Sequence, residues 1–345
     1  MRKNEILQKL PSLLLPWFDA HHRDLPWRKN KDPYRVWISE IMLQQTRVEA
    51  VVGYYDRFLT ALPDVRALAN VQETELFKLW EGLGYYSRAR NLQKAARAIE
   101  DAGGAFPSDY DGVRALPGIG DYTAGAICSI CFEMPTPAVD GNVLRVYTRL
   151  LCDERPIDTD RMKAAVKDDL APVYPSGSCG QFTQSLMELG AILCTPKSPH
   201  CDVCPLAAVC LARGAGRQSE LPKKGEKRAR RVEERMVLRI LCDGDLALCR
   251  RENKGLLAGL WQLPNELCTP SPAAALAFCE AHGMKPKTIR RELHRTHVFT
   301  HIEWKMTCYE IEVEARGGDF VFASAEELDK VYALPTAFRI FCEDI

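Results

Sequence analysis

Four cysteines, Cys194, Cys201, Cys204 and Cys210, fall within seventeen residues in the spacing Cys-x6-Cys-x2-Cys-x5-Cys. Four thiols so close in sequence wrap one metal centre, and Pro196, Pro199 and Pro205 shape the turns that the loop needs. Structural zinc usually takes two Cys-x2-Cys knuckles, and this run has one, so an iron–sulfur cluster fits better while zinc stays open as the alternative. A disulfide pairing suits the run less, because the chain lacks the look of a secreted scaffold. Fourteen cysteines occur in all, and several of those outside the loop sit in apolar runs as small hydrophobes.

The N-terminus bears on that point. Residues 9–17 are briefly apolar like a signal peptide, but they hold two prolines and no small-residue cleavage site. With 46% apolar and 27% charged residues the composition is that of ordinary soluble domains, which disfavours disorder and low-complexity architectures. No apolar run reaches the roughly 18 to 20 residues of a membrane helix. At 345 residues the chain has room for about two domains of ~150 residues.

The boundary shows in the charge and in the hydrophobic period. The chain carries 46 basic and 46 acidic residues, a balance that by itself speaks weakly against a nucleic-acid partner. Residues 217–235 nevertheless hold 8 basic against 4 acidic side chains. The stretch 217–232 reads as a basic interdomain linker, lying near DNA phosphates or simply solvated. Before it, at 1–216, apolar residues recur at three- and four-residue spacing, with helices expected over 36–59, 73–80 and 89–99 and no strands. After it, at 233–345, the runs 235–241 and 245–251 read as strands joined at Asp243-Gly244. Alternation returns over 299–313 and 320–322, and a helix is expected over 272–281. The first part is therefore all-α and the second mixed α and β.

Three further elements carry chemistry. Residues 116–126 place Gly118 and Gly120 just before a small-residue helix, where backbone N–H groups can meet a phosphate, although an ordinary helix connection has the same look. Asp140 stands at the mouth of another helix, a place that suits a cap as well as a catalytic carboxylate. Glu40 shares a helical face with Val36 and Leu43, so it is either a surface glutamate or a carboxyl kept protonated by apolar surroundings.

These elements, with Leu25-Pro26-Trp27-Arg28, 36–46, 80–86 and 139–143, stand in an order that resembles the adenine DNA glycosylase (MutY) family of the helix-hairpin-helix DNA glycosylases. The resemblance runs over nearly the whole chain. It implies an all-helical glycosylase core that grips DNA through the hairpin glycines, Gly118 and Gly120, and one [4Fe–4S] cluster on the four loop cysteines. It also implies a C-terminal α+β domain similar to the Nudix hydrolase fold, which in that family reads 8-oxoguanine. The sequence after 261–264 lacks the glutamate-rich metal-binding box, so Nudix catalysis is not expected.

The implied activity is hydrolysis of the N-glycosidic bond of adenine paired with 8-oxoguanine or guanine in duplex DNA. Glu40 would act as acid and Asp140 as the carboxylate that stabilises the sugar cation, with Tyr122 and Asn142 positioning Asp140 and the sugar. Enzymes of this superfamily that also cleave the backbone carry lysine where Tyr122 stands, so strand cleavage is expected to be weak at most. Arg23, Arg28, Leu43 and Gln184 would line the adenine pocket. Gln45 and Tyr85 would enter the base stack near the lesion, with Thr46 among the DNA contacts. Phe299-Thr300-His301 stands where the family has Phe-Ser-His; the added methyl, worth roughly 0.8 kcal/mol, bears on the strength of lesion preference. A monomer in a bacterial cytoplasm, on the nucleoid and without a membrane partner, is the expected setting. The rival readings are a glycosylase acting on thymine opposite guanine or on oxidised pyrimidines, and a non-enzymatic iron–sulfur DNA-binding protein.

Overall fold

The computed structural model describes residues 2–225 and 229–342. It divides into two units: Met1–Asn70 with Asn91–Glu226, and Val71–Arg90 with Lys227–Ile345. Residues 71–90, which hydrophobic spacing groups with the helical part, thus belong to the C-terminal unit. Polar contacts explain this: the Glu81 carboxylate accepts from the Leu334 N–H (2.9 Å) and Arg339 (3.3 Å), and Arg250 reaches Glu73 (3.0 Å).

Unit 1 is helical. Asp32 caps the helix Pro33–Met42 by accepting from the N–H groups of Tyr34 and Arg35, and Pro33 pre-sets its first turn. The helix expected over 36–59 is in fact two, Pro33–Met42 and Val48–Ala61. The break follows from Gln45, whose φ of +59° cannot continue a right-handed helix. A core of Ile6, Leu10, Leu14 and Phe18 meets Val143, Tyr147, Phe182 and Leu186, and Cys194, Cys204 and Cys210 pack on its edge. The helix Cys179–Ile192 crosses closely beside Asn142; a Cβ at Gly190 would lie 2.6 Å from the Asn142 Cβ, so only glycine fits there.

The front of the basic 217–232 stretch is folded onto unit 1. Leu221 is buried, its carbonyl accepts from Arg149 (2.9 Å), and the Lys223 carbonyl accepts from the Ile157 N–H (3.1 Å). Residues 226–228 lie outside the described residues, and a strand has begun by Arg231.

Unit 2 is built on a mixed sheet: β1 (Arg231–Cys242), β2 (Asp245–Arg250), β3 (Trp261–Gln262), β4 (Asn265–Leu267), β5 (Pro286–Val298), β6 (Ile302–Val313) and β7 (Val321–Ala323). The order is β3-β2-β1-β6-β5, with β1 parallel to β6 and the other neighbours antiparallel; β4 and β7 pair with β1 and β2. Alternate residues feed two cores. Val237, Leu248, Trp304 and Met306 meet Phe338 and Phe341 on one face, and Met236, Ile240, Tyr309 and Ile311 meet the helix Pro272–Ala281 on the other. β5 has no counterpart in the sequence reading, because this edge strand is largely exposed and polar. The strand expected from 299 starts at Ile302, since 299–301 form the turn of the β5–β6 hairpin, closed by the Phe299 N–H on the Ile302 carbonyl (2.8 Å). Among the described residues no helix is long and apolar enough to cross a membrane.

Candidate active site

In unit 1 a cavity of about 760 Å³ opens between the helices Pro33–Met42, Asp121–Phe132, Gly141–Leu151 and Cys179–Ile192. Glu40 lines it. The run from Val36 to Met42 is buried on every side, so Glu40, only 6% exposed, is not a surface glutamate. Burial pushes its carboxyl up to about 7, and the neighbouring Asp140 charge acts the same way, while a hydrogen bond from the Tyr122 hydroxyl (2.5 Å) pulls it back.

Asp140 proves to be a helix cap and a cavity residue at once. One oxygen accepts from the Val143 N–H (2.7 Å) and the other from the Asn142 side-chain amide (2.8 Å). Burial pushes this carboxyl up as well, opposed by those two donors and by Arg145. Asp140 gathers a backbone N–H, an amide and a helix N-terminus, whereas Glu40 has one phenol. The pair therefore divides, with Asp140 the better-supported anion and Glu40 the carboxyl that keeps its proton to higher pH.

Asn142 thus sits on Asp140 as expected, but Tyr122 does not. Its hydroxyl goes to Glu40 instead. Behind Asn142 stands a residue that the sequence reading missed. Arg145 donates to the Asn142 Oδ1 (2.8 Å), the Gly190 carbonyl (2.7 Å) and the Cys194 carbonyl (2.7 Å), tying Asp140's partner to the cysteine loop.

Arg23, Arg28, Leu43 and Gln184 line the same cavity, and so do Gln45, expected in the base stack, and Thr46, expected among the DNA contacts. The two arginines are held by Glu188, also unforeseen, at 2.8 Å each. Burial alone would raise the Glu188 carboxyl, but the paired guanidiniums bring it down to about 2. Its position four residues after Gln184 on one helix was the signal that could have revealed it.

The hairpin joins the helix Tyr110–Ala115 to Asp121–Phe132. Gly118 takes φ +77°, and a Cβ there would lie 2.5 Å from Asn91. Gly120 lines the cavity and is the N-cap of the second helix, with no side chain on the first-turn N–H groups; a Cβ there would meet nothing within 4 Å. That leaves room for an anion at a helix N-terminus.

All four loop cysteines line one small cavity together with Arg149 and Arg213. Arg149 donates to the Cys194 Sγ (3.4 Å) and to the carbonyls of Thr195 (2.7 Å) and Pro196 (3.0 Å). Burial pushes the Cys204 thiol up to about 11, so these sulfurs ionise against a bound cation. An all-sulfur donor set with two guanidiniums to balance anionic thiolates fits an iron–sulfur cluster, which Cys194, Cys201, Cys204 and Cys210 would hold.

Unit 2 holds the remaining expected residues. Arg88 donates to the carbonyls of Leu83 (2.8 Å) and Gly84 (3.1 Å), fixing the turn in which Tyr85 takes φ +47° and stays 48% exposed. The Tyr85 and Thr300 hydroxyls are hydrogen-bonded (3.1 Å) beside a cavity of about 500 Å³ that Phe299 and His301 also line.

Known proteins agree with this geometry. The family described as HhH-GPD superfamily base excision DNA repair protein matches residues 38–172, the iron-sulfur binding domain of endonuclease III matches 194–210, and a NUDIX domain matches 236–344. Among solved structures, a thermostable thymine-DNA glycosylase is 28% identical with a TM-score of 0.55, covering 61% of this chain and 98% of its own. Endonuclease III trapped as a covalent intermediate on DNA is 26% identical with a TM-score of 0.53, covering 63% and 99%. Fold and site together define an iron–sulfur DNA N-glycosylase of base excision repair, a protein that binds DNA. The adenine DNA glycosylase of Rattus norvegicus is 36% identical over 370 residues, 88% of this chain and 70% of the relative. The chain belongs to the adenine DNA glycosylase family.

Proposed function

We propose that the protein removes adenine from A:8-oxoguanine and A:G pairs in duplex DNA by hydrolysis alone. The observation that carries this reading is the pairing, on one cavity, of a buried carboxyl raised to about 7 with a capped and donor-bound aspartate.

Adenine is stacked in the duplex and is a poor leaving group, so it must first be flipped into the unit 1 cavity. Neutral Glu40 protonates N7; the C1′–N9 bond then breaks and its electron pair leaves with the base. Ionised Asp140 stabilises the resulting oxocarbenium-like sugar, by its charge or by a transient bond to C1′. Glu40, now a base, takes a proton from the water that adds to C1′, leaving an abasic site and free adenine. Tyr122 holds Glu40, and Asn142 with Arg145 holds Asp140. A phenol forms no Schiff base with the sugar, so no lyase step follows.

Gln184 offers an amide donor and acceptor to an adenine edge, and Arg23 and Arg28, fixed by Glu188, wall the pocket. Phe299, Thr300 and His301 read the opposite base, the Thr300 hydroxyl replacing a serine's. The protein works as a monomer on the DNA of a bacterial cytoplasm.

Single-turnover assays on duplexes with A opposite 8-oxoguanine, A opposite G, and T opposite G test this. Release of adenine from the first two, with strand breaks only after alkali, is the expected result. Thymine release, or breaks without alkali, contradicts it.

A further inference from the structure

The turn 299–301 is held from beneath by groups that have no role in excision. Trp304 is 1% exposed and lies between Glu233 and His297 in one row across three strands, paired in register with Glu233 on β1 and His297 on β5. Its indole N–H donates to the Glu233 Oε2 (2.9 Å). Arg235 lies over the indole ring at 4.2 Å and donates to the same oxygen (3.1 Å), and Arg231 takes the other. Phe299 rests against the indole, centroids 4.7 Å apart and planes at 70°, and against His297 at 4.6 Å. The Arg231 N–H donates to the His301 carbonyl (3.1 Å), so the strand that carries Glu233 also pins the end of the turn.

A carboxylate only 8% exposed, paired with the half-buried Arg235 and the exposed Arg231, is a poor choice for stability alone, because a well-packed apolar side chain does as well without desolvation. What a hydrogen-bonded indole adds is a fixed ring orientation. Phe299 takes its position from that ring, and the neighbouring Thr300 hydroxyl takes its own from the Phe299 backbone and from Tyr85. We propose that Glu233 and Trp304 are positioning residues for the recognition turn, setting how well Thr300 distinguishes the base opposite the excised adenine. The inference rests on the lesion-reading role proposed above.

Glu233→Gln keeps the shape and removes the charge; Trp304→Phe keeps a ring and removes the N–H. Each full-length, cluster-loaded variant, and the double variant, is assayed under single-turnover conditions on A:8-oxoguanine and A:G duplexes. The preference for the 8-oxoguanine duplex should fall about tenfold in each single variant, the scale of one hydrogen bond to a charged group, while the A:G rate stays within about twofold of the parent. The double variant should lose little more than either single one, because both act through one contact. A general loss of unit 2 packing would instead slow both substrates together, and that result overturns the proposal, as does an unchanged preference in both single variants. A parent protein with no preference removes the lesion-reading role itself, and the inference with it.

Discussion

The Tyr122 hydroxyl donates to the Glu40 Oε2 at 2.5 Å, so the phenol bears on this carboxyl and not on Asp140. A bond to the ionised form of a carboxyl lowers its pKa. Removing the phenol in Tyr122→Phe should therefore raise the Glu40 pKa. The alkaline limb of the single-turnover pH–rate profile should move to higher pH by roughly 0.5 to 1 unit. A profile that moves to lower pH, or stays in place, contradicts this arrangement.

Glu40 also makes stability depend on pH. Its folded-state value of about 7 lies above the ordinary 4.5, so the native state binds more protons than the unfolded one between these values. This carboxyl's contribution is complete below pH 4.5 and is lost as pH rises through 7. Glu40→Gln removes the titration and should stabilise unit 1 by on the order of 1 to 3 kcal/mol at pH 8.5, with a much smaller effect at pH 5. Urea unfolding at the two pH values measures the difference.

Asp140 is oriented through Asn142 and Arg145. Replacing Asn142 with Leu leaves the Val143 N–H as the other donor to Asp140 and frees one oxygen to turn. The single-turnover rate should fall roughly 10- to 100-fold, the scale of a misaligned catalytic group, with DNA affinity nearly unchanged. Arg145→Met should slow excision similarly and also disturb the cysteine loop, read as loss of the broad visible absorbance of the cluster, because Arg145 binds the Cys194 carbonyl.

The two hairpin glycines should separate folding from binding. Gly118→Ala forces a Cβ onto Asn91 at φ +77° and should cost roughly 1 to 3 kcal/mol of stability. Gly120→Ala has open space and an extended backbone, so the fold should tolerate it. A methyl at the helix N-terminus should still weaken DNA binding several-fold by keeping a phosphate away from the N–H groups. Thermal melts and fluorescence anisotropy on duplex DNA read the two effects.

Much of this was legible in the chain because it follows from local rules. The helix over 272–281 and the β1–β2 turn at Asp243-Gly244 come from periodicity and turn chemistry. The cysteine loop comes from spacing, whereas Glu40 and Asp140 stand out only through the family resemblance. What stayed hidden depends on partners far apart in sequence. Periodicity around Glu40 could not separate a surface face from a buried one, since burial of Ser39 and Glu40 comes from other helices. Tyr122 could be placed in the site, but its bond to Glu40 rather than Asp140 depends on where three separate helices put these side chains. Glu188 and Arg145 carry no motif and matter only through what they hold. β5 escaped because an edge strand rich in arginine and histidine has no apolar stripe to announce it. The grouping of 71–90 with the C-terminal unit rests on bonds such as Glu81 to the Leu334 N–H, which span the chain.

In the proposed reaction Glu40 gives a proton and Asp140 stays charged. Adenine release from an A:8-oxoguanine duplex, followed under single turnover from pH 5 to 9 for the parent and for Glu40→Gln, tests it most directly. The parent rate should decline as pH rises through about 7, where Glu40 loses its proton, and the Glu40→Gln protein should bind the duplex but release no adenine. Robust release by Glu40→Gln, or a parent rate that climbs through the same interval, contradicts it.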